Sequence, residues 1–381
     1  MKTLGLDTQR VTLGPFIYFC FAARGTLRSA STLLFSLLVF ILSFSGNAIA
    51  QISVNDGFNP HADYEVKDIV VQEDGKIIVA GTFSNIGGGS RSGLARLNPD
   101  GSLDITFNAN SSSYSVWALA LQPDGKILVG GSFTSIGGGD SNYIALLNPD
   151  GTLVNSDEFS SPLDRPVQSM LVQEDGKILV SVGNYITRLN ANGSLDTDFH
   201  PDPIFGVRCF ALQKGGRILI GGSLLFSGDE ERYGIARLYP DGSLDPSFSK
   251  FATPYHLGVF DIVVQEEGQI IVVGSFTNIG GDSRNGIARL HRDGVLDSSS
   301  YNNFATWGGA DFYTLAERAD GSILAGGRFS DQSVTPRGIV CMKTDGSVDV
   351  NFFPELNLIS SVAALAVQSD GKILMGGSFT S

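Results

Sequence analysis

Short apolar runs recur along this chain in pairs, each pair broken by a small polar turn. The clearest pair is Val116–Leu121 and Ile127–Phe133, separated by Gln122-Pro123-Asp124-Gly125-Lys126. Runs of about six β-favouring residues closed by Pro-Asp-Gly predict two strands of a hairpin. After the loop 134–142, Tyr143–Asn148 and Leu153–Phe159 flank Pro149-Asp150-Gly151 and predict two more strands. No segment carries a helical period of useful length. The first phrase recurs at Gln72, Gln122, Gln173, Gln213, Gln265, Glu317 and Gln368, with offsets of 50, 51, 40, 52, 52 and 51 residues. A fixed period of this length marks a repeat architecture, in which each unit needs its neighbours to bury its faces.

The turns set the register. In Asn98-Pro99-Asp100-Gly101-Ser102, Pro suits the first corner of a type I turn and Gly the left-handed position that follows. That loop pairs Leu97 with Leu103 and Arg96 with Asp104, and the same spacing recurs as Arg188/Asp196, Arg237/Asp245 and Arg289/Asp297. The second repeat has Leu146 and Val154 there, apolar facing apolar, and the sixth departs with Cys341 and Asp349. Each pair is expected to stand side by side across two strands. The first strand is apolar on both faces, with Ile69 and Val71 on one and Val70 on the other.

A four-stranded sheet apolar on both faces cannot stand alone, and radial packing buries both while leaving short edges. The expectation is therefore all-β: a seven-bladed β-propeller of four-stranded antiparallel blades. The third repeat is short because its second and third strands, Lys177–Val182 and Tyr185–Asn190, meet through a tight turn. The chain stops two strands into the seventh repeat, whereas Val54-Asn55-Asp56-Gly57-Phe58-Asn59 copies the fourth-strand phrase Leu103–Asn108 ahead of the first. The last blade is thus expected to be incomplete and closed by the N-terminal strand, and the chain to be a truncated form of a longer one.

The pattern Q-x-D-G-K-I-L-V-G-G-S-F, then G-x-A-R-L-N-x-D-G-S-L-D-x-x-F-N, resembles the delta-60 repeat family over residues 52–381. That resemblance implies a β-propeller module of secreted bacterial proteins with no established general activity. The glycine pairs, such as Gly130-Gly131, are shared with kelch repeats, but two Trp in all cannot supply the aromatic positions of a kelch blade.

Ahead of the repeats, Arg24 and Arg28 precede the apolar run Leu33–Phe44 and the sequence Ala48-Ile49-Ala50. These are the three parts of a secretory signal. Residues 1–50 read as a long signal peptide cleaved before Gln51, and 51–381 as the propeller. The run is short for a membrane span. The protein is expected to be secreted or at the bacterial cell surface, with no membrane insertion after cleavage. A net charge of −13 argues against nucleic acid and anionic membrane as partners. Cys209 and Cys341 fall on non-adjacent repeats and are not expected to form a disulfide.

No nucleophile elbow, paired-cysteine metal spacing, His-Glu-x-x-His or phosphate loop is present. The four histidines occupy unrelated phases of the repeat. The Asp-Gly turns offer carboxylates to calcium, but Asp104 faces Arg96 and calcium needs six to eight oxygens, so no metal or other cofactor is expected. Because recurring positions build blades, individual ones are where a ligand is read. Five residues before each repeat start stand Lys67, Trp117, Gln168, Arg208, Phe260, Phe312 and Ala363, with Tyr114, Tyr255, His256, Phe304 and Trp307 in nearby loops. This ring is expected at the channel mouth, on the face of the long loops between strands two and three. Aromatics with scattered polar groups suit an extracellular glycan or protein ligand. The reading is a monomeric, non-catalytic binding or scaffold module, the alternative a propeller hydrolase or lyase acting on polysaccharide.

Overall fold

The computed structural model describes residues 2–4, 58–113, 115–183, 185–226, 234–249, 258–299, 311–330, 336–352 and 361–378. Every regular element among them is a β-strand. Each repeat forms an antiparallel meander. Sheet one is Val66–Val71, Ile77–Gly81 and Leu94–Leu97; sheet two is Val116–Leu121, Ile127–Gly131 and Ile144–Leu147. Sheet three is Val167–Val172, Ile178–Val182 and Tyr185–Leu189, sheet four Ile204–Gln213, Arg217–Phe226 and Gly234–Leu238. Sheets five and six are Val259–Val264, Ile270–Gly274, Ile287–Leu290 and Asp311–Glu317, Ile323–Ser330, Pro336–Met342. Sheet seven joins Ser361–Val367 and Ile373–Ser378 with Lys2–Leu4.

Second strands lie in the middle of their sheets, with neighbouring sheets over both faces. Ile77–Gly81, Ile127–Gly131, Ile178–Val182 and Ile270–Gly274 are buried at every position. That explains why these strands lack the polar alternation of a half-solvated sheet, and each fully buried Ile or Val contributes about 1.5–3 kcal/mol. Small residues on one sheet admit large ones from the next: a Cβ at Gly130 would stand 2.8 Å from Val167, and one at Gly376 only 2.4 Å from Val66. The last sheet thus packs on the first through the contact that sheet two makes with sheet three.

The fourth strand is shorter than its sequence suggests. Its pairing is one bridge per repeat, from Leu97↔Leu103 to Met342↔Val348. The next residue is usually Asp, whose carboxylate turns back onto the chain: Asp104 Oδ1 accepts from Thr106 N at 2.9 Å, and Asp245 Oδ1 from Ser247 N at 2.9 Å. This Asx turn ends the strand. In sheets one, two and five, small hairpins after the second strand fold down toward this segment; Leu153 N donates to Gly137 O at 3.0 Å.

The recurring Arg–Asp pairs lie at the expected register. Asp104 N donates to Arg96 O, and Arg96 Nε to Asp104 Oδ2 at 2.8 Å. The same Arg also reaches the following sheet. Nη1 of Arg188, Arg237 and Arg289 donates to the carbonyls of Pro240, Arg292 and Thr344 at 2.6–2.8 Å. The guanidinium covers a Phe of its own repeat, with Arg237 lying 4.8 Å from the Phe248 ring centre. That Phe in turn fills the space over the next sheet's turn glycine, as Phe248 does at Gly294.

Phe58 makes the same contact with Gly101 of sheet one. Residues 51–57, the rest of the expected closing strand, lie outside the described residues. The third-strand place in sheet seven, expected to be missing, is taken by Lys2–Leu4, with Leu4 opposite Ile373 as Leu97 is opposite Ile77. Cys209 and Cys341 are free and buried.

Candidate functional site

Each first strand slips by one residue near its start. Val66 pairs with Gly81 but Asp68 with Ala80, which leaves Lys67 unopposed in a β-bulge. The same slip isolates Trp117, Gln168, Arg208, Phe260, Tyr313 and Ala363. A bulge re-aims the side chain at that point. All seven of these side chains line one cavity of about 200 Å³. The cause sits in the facing strand. A Cβ at Gly81 would stand 2.2 Å from Glu65 O, and one at Gly327 2.2 Å from Asp311 O. The glycine opposite each bulge, preceded by Gly in some repeats and by Ala80 or Val273 in others, therefore admits the carbonyl that the bulge pushes across. Sheet three manages the same slip with Val182 there.

Six of the residues expected at the mouth are in this ring: Lys67, Trp117, Gln168, Arg208, Phe260 and Ala363. Phe312 is not. It is fully buried, its ring centre 4.6 Å from that of Phe329, and Tyr313 takes its place. The reason is phase. Arg318, not Glu317, makes the turn that Gln72 makes, since Gly321 N donates to Arg318 O as Gly75 N does to Gln72 O. Counting back five from Arg318 lands on Tyr313. Tyr114, Tyr255, His256, Phe304 and Trp307 lie outside the described residues.

The ring has a continuous wall on sheets four to six. The Arg208 guanidinium lies 4.9 Å from the Phe260 ring centre, and Phe260 stacks on Tyr313 at 5.8 Å. Such a cation–π contact is worth about 0.5–1 kcal/mol at an exposed site. Lys67 is held by Glu65 at 2.7 Å. The loops between strands two and three leave from this end, where Thr82 N donates to Glu65 O. Their tips fold outward, however: a Cβ at Gly87 would meet Leu103. They frame the mouth at their roots only.

One residue further along each strand lies a second layer: Asp68, Ala118, Ser169, Cys209, Asp261, Thr314 and Ala364. Asp68 accepts from Ile69 N and from Leu119 N of the next sheet, both at 2.8 Å. Asp261 accepts from Ile262 N at 2.8 Å and from Leu315 N of the next sheet at 2.7 Å. Each carboxylate thereby pins one first strand to the next. Burial pushes the Asp68 carboxyl up to about 6, against the two main-chain donors that pull it down. Burial likewise lifts Asp261 to about 7, with the charge of Asp68 adding to the rise. In the sequence these two are marked only by an acid in a column otherwise held by Ala, Ser, Cys and Thr.

The remaining recurring aspartates are engaged in turns and pairs. Asp100 Oδ1 accepts from both Ser102 N and Ser102 Oγ, while Asp104 Oδ2 holds Lys76 and Arg96. Among the described residues no group of three or more His, Cys, Asp or Glu is placed to hold a metal ion.

A search of curated proteins finds no match to this sequence. Among solved structures, virginiamycin B lyase from Staphylococcus aureus superposes with a TM-score of 0.53 at 14% identity, covering 84% of this chain and 96% of that one. The WD40 β-propeller domain of Doa1 superposes with a TM-score of 0.51 at 14% identity, over 84% of this chain and 91% of that one. The extracellular domain of a putative one-component system from B. thetaiotaomicron gives 0.51 at 16% identity, over 85% of this chain but 39% of that one. At such identities the likeness is one of fold. A family model, the β-propeller domain of unknown function DUF5122, matches residues 72–107, 122–153, 173–199, 213–248, 265–299 and 318–352, more than half of the chain in all. These matches run from the turn after each first strand through the second and third strands of sheets one to six, and the chain belongs to this β-propeller family.

Proposed function

We propose that the chain is a closed seven-bladed propeller of the delta-60 type, exported by a bacterium, that binds an extracellular glycan or protein at its channel mouth without catalysing a reaction. One observation carries this reading: the bulge residues of all seven sheets line a single cavity. Closure is supported by the packing of Gly376 on Val66, and by Phe58 covering Gly101 as Phe107 covers Gly151. The mouth suits binding because it sets a stacked aromatic wall beside Gln168 and two cations, one of them already neutralised by Glu65. Apolar planes with a few convergent polar groups recognise ring-shaped ligands. Export rests on the leader motif, whose cleavage before Gln51 would take Lys2–Leu4 from sheet seven and leave that sheet with two strands, and the acidic balance disfavours nucleic acid. The ring uses residues of one chain, so the monomer suffices.

The second reading, a polysaccharide hydrolase or lyase, draws on Asp68 and Asp261, two carboxyls in one cavity with raised pKa values. Each already accepts two main-chain N–H groups, a pinning role that leaves less for acid–base work. The fold itself does not choose, since propellers host both lyases and non-catalytic domains.

The test is a screen of the secreted protein against arrayed bacterial and plant polysaccharides, with Trp117→Ala and Tyr313→Ala alongside. Binding that falls at least tenfold in either variant, with the glycan left intact, is the expected result. Binding unaffected by both substitutions would remove the mouth from the account. Chain cleavage abolished by Asp261→Asn would favour the enzyme.

A further inference from the structure

At the other end of the molecule the repeats are also read against one another. The first strands, six residues or more in length, run from the mouth, roughly 17 Å at the usual rise, to a face built from the turns between strands one and two and between three and four. Grooves open there between consecutive sheets. The groove between sheets four and five has a volume of about 510 Å³, and its walls carry Lys214, Arg217, Arg237 and Arg292 against the carboxylates Glu267 and Asp293. The flanking grooves differ: four carboxylates face two cations between sheets five and six, and three face three between sheets three and four.

The excess comes from departures from the repeat. Lys214 stands where other repeats have Glu73, Glu174 and Glu266. His291-Arg292 stands where they have Asn98-Pro99, Asn148-Pro149 and Tyr239-Pro240. One departure lies on sheet four and the other on sheet five, and both line the same groove. Structure does not require either. At the Arg292 position the chain needs only a side chain over the turn glycine: Pro99 provides it at 3.5 Å over Gly75, and the Arg292 stem at 3.6 Å over Gly268. The guanidinium is additional. Lys214 Nζ donates to Glu266 O at 3.1 Å, and among the described residues neither Lys214 nor Arg292 forms an ion pair. Arg217 and Arg237, by contrast, are occupied by Asp245.

We propose that this groove is a second binding site, for the oxyanion of an acidic ligand: a sulfate, phosphate or carboxylate group. Lys214 and Arg292 supply the free charge from opposite walls, with His291 beside them. Charge-assisted hydrogen bonds from guanidinium and ammonium suit planar or tetrahedral oxyanions. The site works at short range, because at physiological salt charges more than about 8 Å apart are largely screened, so an anion feels the local excess of cations rather than the net charge of −13.

The test titrates the full chain with sodium sulfate, sodium phosphate and sodium glucuronate by calorimetry in low-salt buffer. Three proteins are compared: wild type, Lys214→Glu with Arg292→Pro, and a Lys126→Glu control. The first variant restores residues that other repeats already hold at these positions, so the fold is expected to keep its melting temperature. Saturable binding of at least one anion to wild type is expected, at least tenfold weaker in the double variant and unchanged in the control. The anion that binds identifies the source of the oxyanion. Absence of binding by all three anions, equal binding by the double variant, or an equal loss in the control would each overturn the proposal.

Discussion

At the scale of single residues, charge is buried in this molecule in two opposite ways. Asp245 is fully buried with Arg237 and Arg217 on one oxygen and Ser247 on the other; against the rise from burial, the hydrogen bonds from Ser247 and Arg237 hold it at about 2. Removing one member of a buried ionic group strands the rest, at a cost of about 3–5 kcal/mol. Asp245→Ala is therefore expected to destabilise by roughly 3 kcal/mol in urea unfolding, and a loss below about 1 kcal/mol would place the group among ordinary surface pairs. Asp68 and Asp261 are the reverse case, half-buried at the cavity, without an ion pair among the described residues, and raised by desolvation. The signs follow from linkage. Lowered groups such as Asp245 and Asp196 stabilise above the unfolded value near 4, and that contribution is lost as pH falls toward 2. Raised groups stabilise below 4, and their contribution is lost as pH rises through 6 and 7. Melting temperature is expected to peak near pH 5 and to fall toward pH 8, with Asp261→Asn flattening the alkaline side. A wild-type profile flat from pH 5 to 8 would contradict the assignment.

At the scale of elements, the first strand owes its form to the glycine opposite. Gly81→Ala would force a Cβ against Glu65 O, and the bulge at Lys67 could persist only by displacing the carbonyl. A loss of about 3 kcal/mol is expected, measured by denaturant unfolding, whereas a neutral effect would mean the bulge is not built by that contact. Turns and Arg–Asp register were legible in the sequence because each depends on residues less than ten apart, and strand order within sheets one to six because each strand pairs with one no more than one turn or loop away, as Ile77 does with Leu97. The bulge was not, because it adds one unpaired residue without changing the apolar pattern. Its trace is the recurring glycine near the end of the second strand, often the second of a Gly-Gly pair, which only in three dimensions is room for a carbonyl. The exchange of Phe312 for Tyr313 has the same root: Glu317 resembles the Gln that opens other repeats, but the backbone obeys the turn glycine, Gly321, which places Arg318 there. The fourth strand was overestimated because its apolar residues continue past Asp104, where the Asx turn stops pairing. The Arg links to the next sheet depend on a partner more than fifty residues away, Pro240 for Arg188, which local spacing cannot reveal.

At the scale of the whole molecule, the channel mouth exists only if the seven sheets share one axis. On the proposed reading, ring closure would convert the seven bulge residues into one site, and its support is the packing of the last sheet against the first through Gly376 and Val66. Between sheets two and three the contact is Gly130 on Val167; between seven and one it is Gly376 on Val66, where Cβ positions lie 2.8 Å apart. Cysteines placed there need shift by only about 1 Å to reach the usual disulfide separation of about 3.8 Å. The decisive measurement pairs Val66→Cys with Gly376→Cys, and Gly130→Cys with Val167→Cys as an internal reference, and maps disulfides by non-reducing peptide mass spectrometry after mild oxidation. A closed ring predicts that both pairs cross-link to a similar extent. A reference pair that oxidises while Cys replacements at 66 and 376 remain free thiols would show that the first and last sheets do not meet.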